Sequence, residues 1–452
     1  MQTHVAIPNY IIACIEQLRN RIADAGFLER HRQKPTDFTR KRKLPFETVL
    51  LLLLQKTTHS IQRHLDNFFG QMHWVLHLEL PWVTAGAWTQ ARAKFKASAF
   101  EELNAQIVVP TIYGPKHQPK RRYWVGRRLL AIDGSGVNVP ATKEMERHFR
   151  VFRTGAAGKP GPRRGSGRMS VLYDVLNRVV LDACLVSDSV GEITLALEQI
   201  AHMQPKDLVL MDAGYRGYVL LAALSAAKVD FVVRCSKGGF FEARKLFEQN
   251  KSGLSRKVVL FPGKKPKREC RRLGLPMSLH VRLVTVRLAD GKLEVLATSL
   301  LDTKTFRTAR FKKLYALRWG EETFYSLIKS RLDLENWTGL SFGAIQQDFA
   351  ATMLLSNLES LLTQPAAEVL EKTSKHTQRP LQPNRANCYH ALKQHLLPLL
   401  GSELPIKEVV QILQTLFLHG PVSQRKRRRV PRKKLSAASS VSYQRYRKKV
   451  VF

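Results

Sequence analysis

Cysteine is scarce: Cys14, Cys184, Cys235, Cys270 and Cys388 are spread over 452 residues with no Cys-x-x-Cys pair. That spacing speaks against a zinc ribbon and against a disulfide framework, and leaves buried or incidental thiols. His73 and His77 stand four apart, but no glutamate or cysteine completes a zinc set around them. Long apolar runs are missing too. The longest, Val49 to Leu54 and Tyr218 to Leu224, fall far short of the roughly 20 residues that a spanning helix needs, so no membrane partner is expected. The first residues, Met1-Gln-Thr-His-Val-Ala-Ile-Pro8, lack the basic start, apolar stretch and cleavage site of a secretory signal, and the chain reads as cytoplasmic. Acidic residues are few beside basic ones, 36 Asp+Glu against 74 Lys+Arg, a net charge of +38. A surplus of that size calls for a polyanionic partner, and nucleic acid is the leading one.

What is present is ordinary folded-protein material, 44% hydrophobic and 24% charged, in a chain longer than one hydrophobic core serves. From Tyr10 to about Phe69 apolar residues recur at the helical spacing of three and four, as in Tyr10-Ile11-Cys14-Leu18 and Phe46-Leu50-Leu53-Leu54. Arg40-Lys-Arg-Lys43 and the helix expected at Trp88 to Phe95 add cations suited to a phosphate backbone, although any one of them also serves simply to solvate an outer face. Beyond the Pro- and Lys-rich joint 114–122 the pattern changes. Leu129 to Ile132 reads as a short buried strand ending at Asp133; Ser170–Leu176 and Val179–Val186 read as a hairpin turning at Asn177-Arg178. A helix at Glu192–His202, a strand at Leu208–Met211, a helix at Tyr218–Lys228 and a strand at Phe231–Cys235 follow. Three strands, helix, strand, helix, strand is the order of a ribonuclease H-like mixed sheet, though other α/β folds contain similar runs. A β-rich insertion is expected from Ser236 to about Thr305, then a long helix from Phe306 to Leu332 and further helices to Leu418.

Asp133 and Asp212 each fall at the expected carboxyl end of a strand, where a rigid backbone aims a side chain into a crevice. A strand-end aspartate also serves as a turn or helix cap. In the expected long helix, Tyr315, Arg318, Glu322 and Lys329 recur at three, four and seven and share an arc of roughly 60°, with Leu317, Phe324 and Ile328 on another side. One edge thus carries a carboxylate, two cations and a phenol: Glu322 suited to ligate a metal, Arg318 and Lys329 to hold phosphate oxygens, and Tyr315 to hydrogen-bond one. An exposed amphipathic helix with internal ion pairs has the same pattern. Asp188 and Glu192 follow a different strand and are read as loop and helix capping. The loop Gly155 to Gly165, with Lys159, Arg163 and Arg164, has no Gly-Lys-Ser/Thr and is therefore no nucleotide-binding loop; it reads as a mobile DNA-contacting segment.

The spacing Tyr-x2-Arg-x3-Glu-x6-Lys at Tyr315, Arg318, Glu322 and Lys329 resembles the signature of DDE transposases of the insertion-sequence-four group. So do Asp133-Gly-Ser, Ser170-Val-Leu-Tyr-Asp174, Asp212-x-Gly-Tyr215, Phe38-Thr-Arg-x-Arg-x-Leu-Pro-Phe46 and Ala87-x-x-Gln-Ala-Arg92. The likeness covers roughly residues 35 to 360. It implies that Asp133, Asp212 and Glu322 ligate two Mg²⁺ or Mn²⁺ ions for in-line cleavage and strand transfer. It further implies that Trp319 touches distorted DNA near the cut, where a core tryptophan is the competing reading. The expected α/β architecture is a helical DNA-binding region (1–122, with Arg40, Arg42 and Arg92), a ribonuclease H-like core (123–235), a β-rich insertion (236–305), the helical second part of the core (306–362), a helical region suited to dimerisation (363–423) and a basic tail (424–452). The expected partners are double-stranded DNA, as transposon end and target, and a second copy once two ends are paired. The competing functions are a domesticated DNA-binding protein without catalysis and a nuclease without strand transfer.

Overall fold

The computed structural model describes residues 5–40, 43–56, 60–76, 82–114, 121–155, 161–288 and 291–423. Arg42, His77, Lys159 and the basic tail lie outside them. The chain forms two units, each assembled from separated stretches. A helical unit joins Met1–Pro119, Asn138–Ser166 and Leu327–Phe452, and a sheet unit joins Lys120–Val137 to Gly167–Ser326. Among the described residues no helix is long and apolar enough to cross a membrane.

In the helical unit the N-terminal periodicity becomes the helices Asn9–Ile22, Ala25–His31, Phe46–Gln55, Ile61–Leu76 and Ala85–Arg92. Every residue of Phe46–Gln55 except Glu47 is buried, which suits a helix that is apolar on nearly all sides. It packs against the 21-residue helix Phe342–Leu362 and against Arg385–Leu400. Ser341 caps Phe342–Leu362 by accepting from Ala344 N. Inside this helix Asp348 is fully buried and pairs at 3.1 Å with Arg92, itself 4% exposed.

Nine strands matter for the site: β1 (Leu129–Val139), β2 (Arg150–Arg153), β3 (Arg163–Asp174), β4 (Val179–Ser187), β5 (Leu208–Met211), β6 (Asp230–Arg234), β7 (Ser255–Leu260), β8 (Leu279–Arg287) and β9 (Leu293–Thr298). The sheet unit has the order β4-β3-β1-β5-β6-β9-β8-β7. β1, β5 and β6 run parallel, while β3–β4 and the ribbon β6-β9-β8-β7 pair antiparallel. Helix Thr308–Ala316 buries Phe311, Leu314 and Tyr315 against Leu129, Leu208, Leu210 and Val232 of the sheet. The architecture is therefore a mixed sheet with flanking helices.

Several local expectations change. β1 does not stop at Asp133 but runs on to Val139; Asp-Gly-Ser-Gly reads as a turn, yet β3 holds the other edge of the strand after β5 has ended. The hairpin turn is wider than Asn177-Arg178. The buried Asp174 carboxylate accepts from the Leu176 and Asn177 amides, and Arg178 takes a positive φ of 60°. The stretch expected as β-rich also carries the helices Phe241–Gln249 and Lys264–Arg272. Finally, the long helix from Phe306 is broken at Leu317-Arg318 into Thr308–Ala316 and Trp319–Ser330. Gly320 follows the joint, and a β-carbon there would stand 3.3 Å from Val175 Cβ in the β3–β4 turn. A side chain at this position would press on the Val175 side chain, so the helix and the turn approach closely here.

Candidate active site

The parallel register decides where the two aspartates go. Ile132 of β1 pairs with Met211 of β5 as the last rung, so Asp133 and Asp212 follow neighbouring positions of adjacent strands. Each has one oxygen held by a glycine amide of its own motif: Gly134 N donates to Asp133 Oδ1 at 2.9 Å, and Gly214 N to Asp212 Oδ1 at 2.7 Å. The Tyr315 phenol donates to the Met211 carbonyl at 3.2 Å and is 5% exposed. It braces the strand end from which Asp212 leaves, rather than presenting its hydroxyl to solvent.

Helix Trp319–Ser330 supplies the third carboxylate. Phe324 seats it by stacking on Tyr173 of β3, ring centres 4.5 Å apart. One turn earlier, Arg318 sits between acids: Nη2 donates to Glu322 Oε1 at 2.7 Å, and Nη1 stands 3.5 Å from Asp133 Oδ2. Burial works against the Arg318 charge, but Tyr315, Glu322 and Asp133 outweigh it and raise the guanidinium above its ordinary value. Burial pushes the Asp133 carboxyl up to about 6; Arg318 opposes this, while Asp212 and Glu322 add to it. The cluster is short of positive charge even with Arg318 inside it. Among the described residues no three metal-binding side chains already surround one point.

Beneath these groups lie three more, of which the sequence singles out only Tyr215, as part of the Asp212 motif. Glu321 is fully buried, with burial and then Asp133 raising its carboxyl well above the ordinary range. Tyr325 donates to the Asp133 carbonyl at 2.5 Å and lies 3.4 Å from Glu321. Tyr215 is fully buried. For Glu321 the signal is the pair Glu321-Glu322, whose first member falls on the inner side of the helix once it restarts at Trp319.

The remaining expected residues divide. Trp319 is 48% exposed, with the Arg318 guanidinium 5.6 Å from its ring centre. Lys329 ends the same helix, and burial lowers its ammonium while Glu335 supports it. Arg40 is exposed beside a groove of about 690 Å³ that Lys43 and Lys94 also line. Arg92 is turned inward: besides Asp348 it bonds Gln347, Thr338 and the Ala344 carbonyl, so it clasps helices rather than offering its charge to DNA. Arg163 and Arg164 belong to β3, opposite Arg153 and Phe152 of β2, and Arg163 pairs with Glu146. Sequence reasoning also missed Lys264–Arg272, where Lys264, Lys265, Lys267, Arg268, Arg271 and Arg272 surround a single buried residue, Cys270.

Two carboxylates just beyond the last rung between adjacent parallel strands, with a third on a covering helix, give this α/β protein an acidic centre. The chain belongs to the DDE transposases: residues 124–358, more than half of it, match the family described as transposase DDE domain. Its likeness to the transposase InsG of insertion sequence element IS4 from Escherichia coli (strain K12) places it in the insertion-sequence-four group. The two are 26% identical over 323 residues, covering 71% of this chain and 70% of that one. Among solved structures it is similar to a piggyBac transposase synaptic complex with hairpin DNA, with TM-score 0.41, 11% identity, and 95% of this chain and 88% of that one covered.

Proposed function

We propose that this protein binds the ends of its insertion sequence, cuts them free and joins them to target DNA, using two Mg²⁺ or Mn²⁺ ions held by Asp133, Asp212 and Glu322. The observation that carries this reading is the Ile132↔Met211 rung, which sets two carboxylates side by side on rigid backbone facing a third. The donor set is of the kind that suits hard cations, being made of carboxylate oxygens. Bound ions would activate a water or a DNA 3′-hydroxyl and stabilise the leaving oxygen. Glu322 would exchange the Arg318 guanidinium for that role, releasing Arg318 to grip a phosphate through a bidentate contact. Tyr315 keeps Asp212 in place, Lys329 adds a phosphate contact and Trp319 offers a face for a displaced base. The strand order β4-β3-β1-β5-β6 supports a ribonuclease H-like core. Arg40, Lys43, Arg164 and the basic helix Lys264–Arg272 are proposed to hold the phosphate backbone away from the chemistry, and two copies to act together on paired ends.

Purified wild type, Asp133→Ala and Glu322→Ala are incubated with DNA carrying the element's ends, with Mg²⁺ or EDTA, and products are mapped at nucleotide resolution. Metal-dependent cuts and joined products are expected from wild type only, with end binding nearly unchanged in both variants. Cutting in either variant sinks the assignment of the acids. Cutting without joining by wild type favours a nuclease, and specific binding without any cut favours a domesticated binder.

A further inference from the structure

We propose that a polar cavity inside the helical unit, lined by Lys56, Lys393 and Asn336, binds a phosphate group. The cavity measures about 470 Å³, within the range of small-ligand sites, and its described lining residues all belong to that unit. It is built from the end of helix Phe46–Gln55, one side of Ile61–Leu76, the segment 331–336 and one face of Arg385–Leu400. Among the described lining residues only Leu332 and Ala386 are apolar. Part of the wall is internally satisfied: Gln55 bonds His64 Nε2 at 3.1 Å and Gln71 Oε1 at 3.2 Å.

Asn336 is not. It is 3% exposed, and neither the nitrogen nor the oxygen of its carboxamide has a hydrogen-bond partner among the described residues. A buried amide left in that state costs stability, so it calls for a partner from outside the fold. The charges around it indicate which. Lys56, buried just past the end of its helix, donates from Nζ to the Leu334 carbonyl at 3.1 Å, and Lys393 donates from Nζ to the Lys56 carbonyl at 2.9 Å. Those bonds hold two ammoniums in place and supply no countercharge. Asp333 is the one carboxylate among the described lining residues, against Lys56, Lys393 and Arg331. Burial, and then Lys56, lower the Lys393 ammonium to about 8; Asp333 and Asp348 oppose this, but Asp348 is already paired with Arg92. A water would answer the amide and leave the charge. A phosphate answers both: its oxygens accept from the amide and the ammoniums, and its P–OH, or a water it holds, donates to the amide oxygen.

The test is calorimetric titration of the full chain with inorganic phosphate, at ionic strength held constant with chloride, in wild type, Asn336→Leu and Lys393→Met. Both variants are expected to bind phosphate about tenfold more weakly or worse, while binding to the basic tail is common to all three. Asn336→Leu keeps the volume and removes an unpartnered amide, so without phosphate its melting temperature should be no lower than that of wild type. A lower one would give the amide a structural partner and overturn the proposal, as would unchanged phosphate affinity in Asn336→Leu. A second arm titrates duplex DNA with and without saturating phosphate. Competition by phosphate, with weaker duplex binding in both variants, identifies the group as a backbone phosphate; duplex binding unchanged beside lost phosphate binding identifies it as a free one.

Discussion

Arg92 shows how a cation can be right in kind and different in use. It was expected to face DNA on the strength of Ala87-x-x-Gln-Ala-Arg92. Its guanidinium instead bonds Asp348, Gln347, Thr338 and the Ala344 carbonyl. Nothing in a stretch of helical sequence announces a partner some 250 residues away, so its charge is legible and its direction is not. Because the pair is buried on both sides, removing one partner leaves an uncompensated charge. Asp348→Ala should lower the stability of the helical unit by about 3–5 kcal/mol, measured by urea unfolding; a loss under about 1 kcal/mol would mean that the pair is not a clasp. Asp133, Asp212 and Glu322 are the opposite case: short local motifs single them out as candidates.

Among the elements, strands were the easier to read. Leu208–Met211 and the hairpin arms at Ser170 and Val179 are continuous apolar runs, and the structure keeps them as β5, β3 and β4. β1 was truncated because its glycines look like punctuation, and the single helix was over-extended because periodicity survives a two-residue joint. That joint governs the third carboxylate. Helix Trp319–Ser330 leans on Val175 at Gly320, and a branched side chain there would lift the end that bears Glu322. Gly320→Val should reduce the cleavage rate by about 100-fold, the scale of an ångström-sized misplacement, without altering end binding. Single-turnover cleavage beside a binding titration checks this, and an unchanged rate would show that the helix tolerates the shift.

For the molecule as a whole, the charge of +38 pointed to nucleic acid, but composition gave no hint that neither unit is continuous. The expected N-terminal module 1–122 contributes to a unit that also draws on Asn138–Ser166 and Leu327–Phe452. Helix Phe46–Gln55 is buried almost all round against Phe342–Leu362 and Arg385–Leu400. A fragment ending at residue 119 should therefore lack a cooperative unfolding transition and protected amides, in contrast to an autonomous DNA-binding domain. A sharp thermal transition in that fragment would refute the dependence.

The interleaving also has a consequence for biosynthesis. Helix Phe46–Gln55 emerges from the ribosome long before Phe342–Leu362, and at about 5–20 residues per second the part of its surface that this later helix covers waits for roughly fifteen seconds to a minute. During that interval exposed apolar surface of this kind favours aggregation.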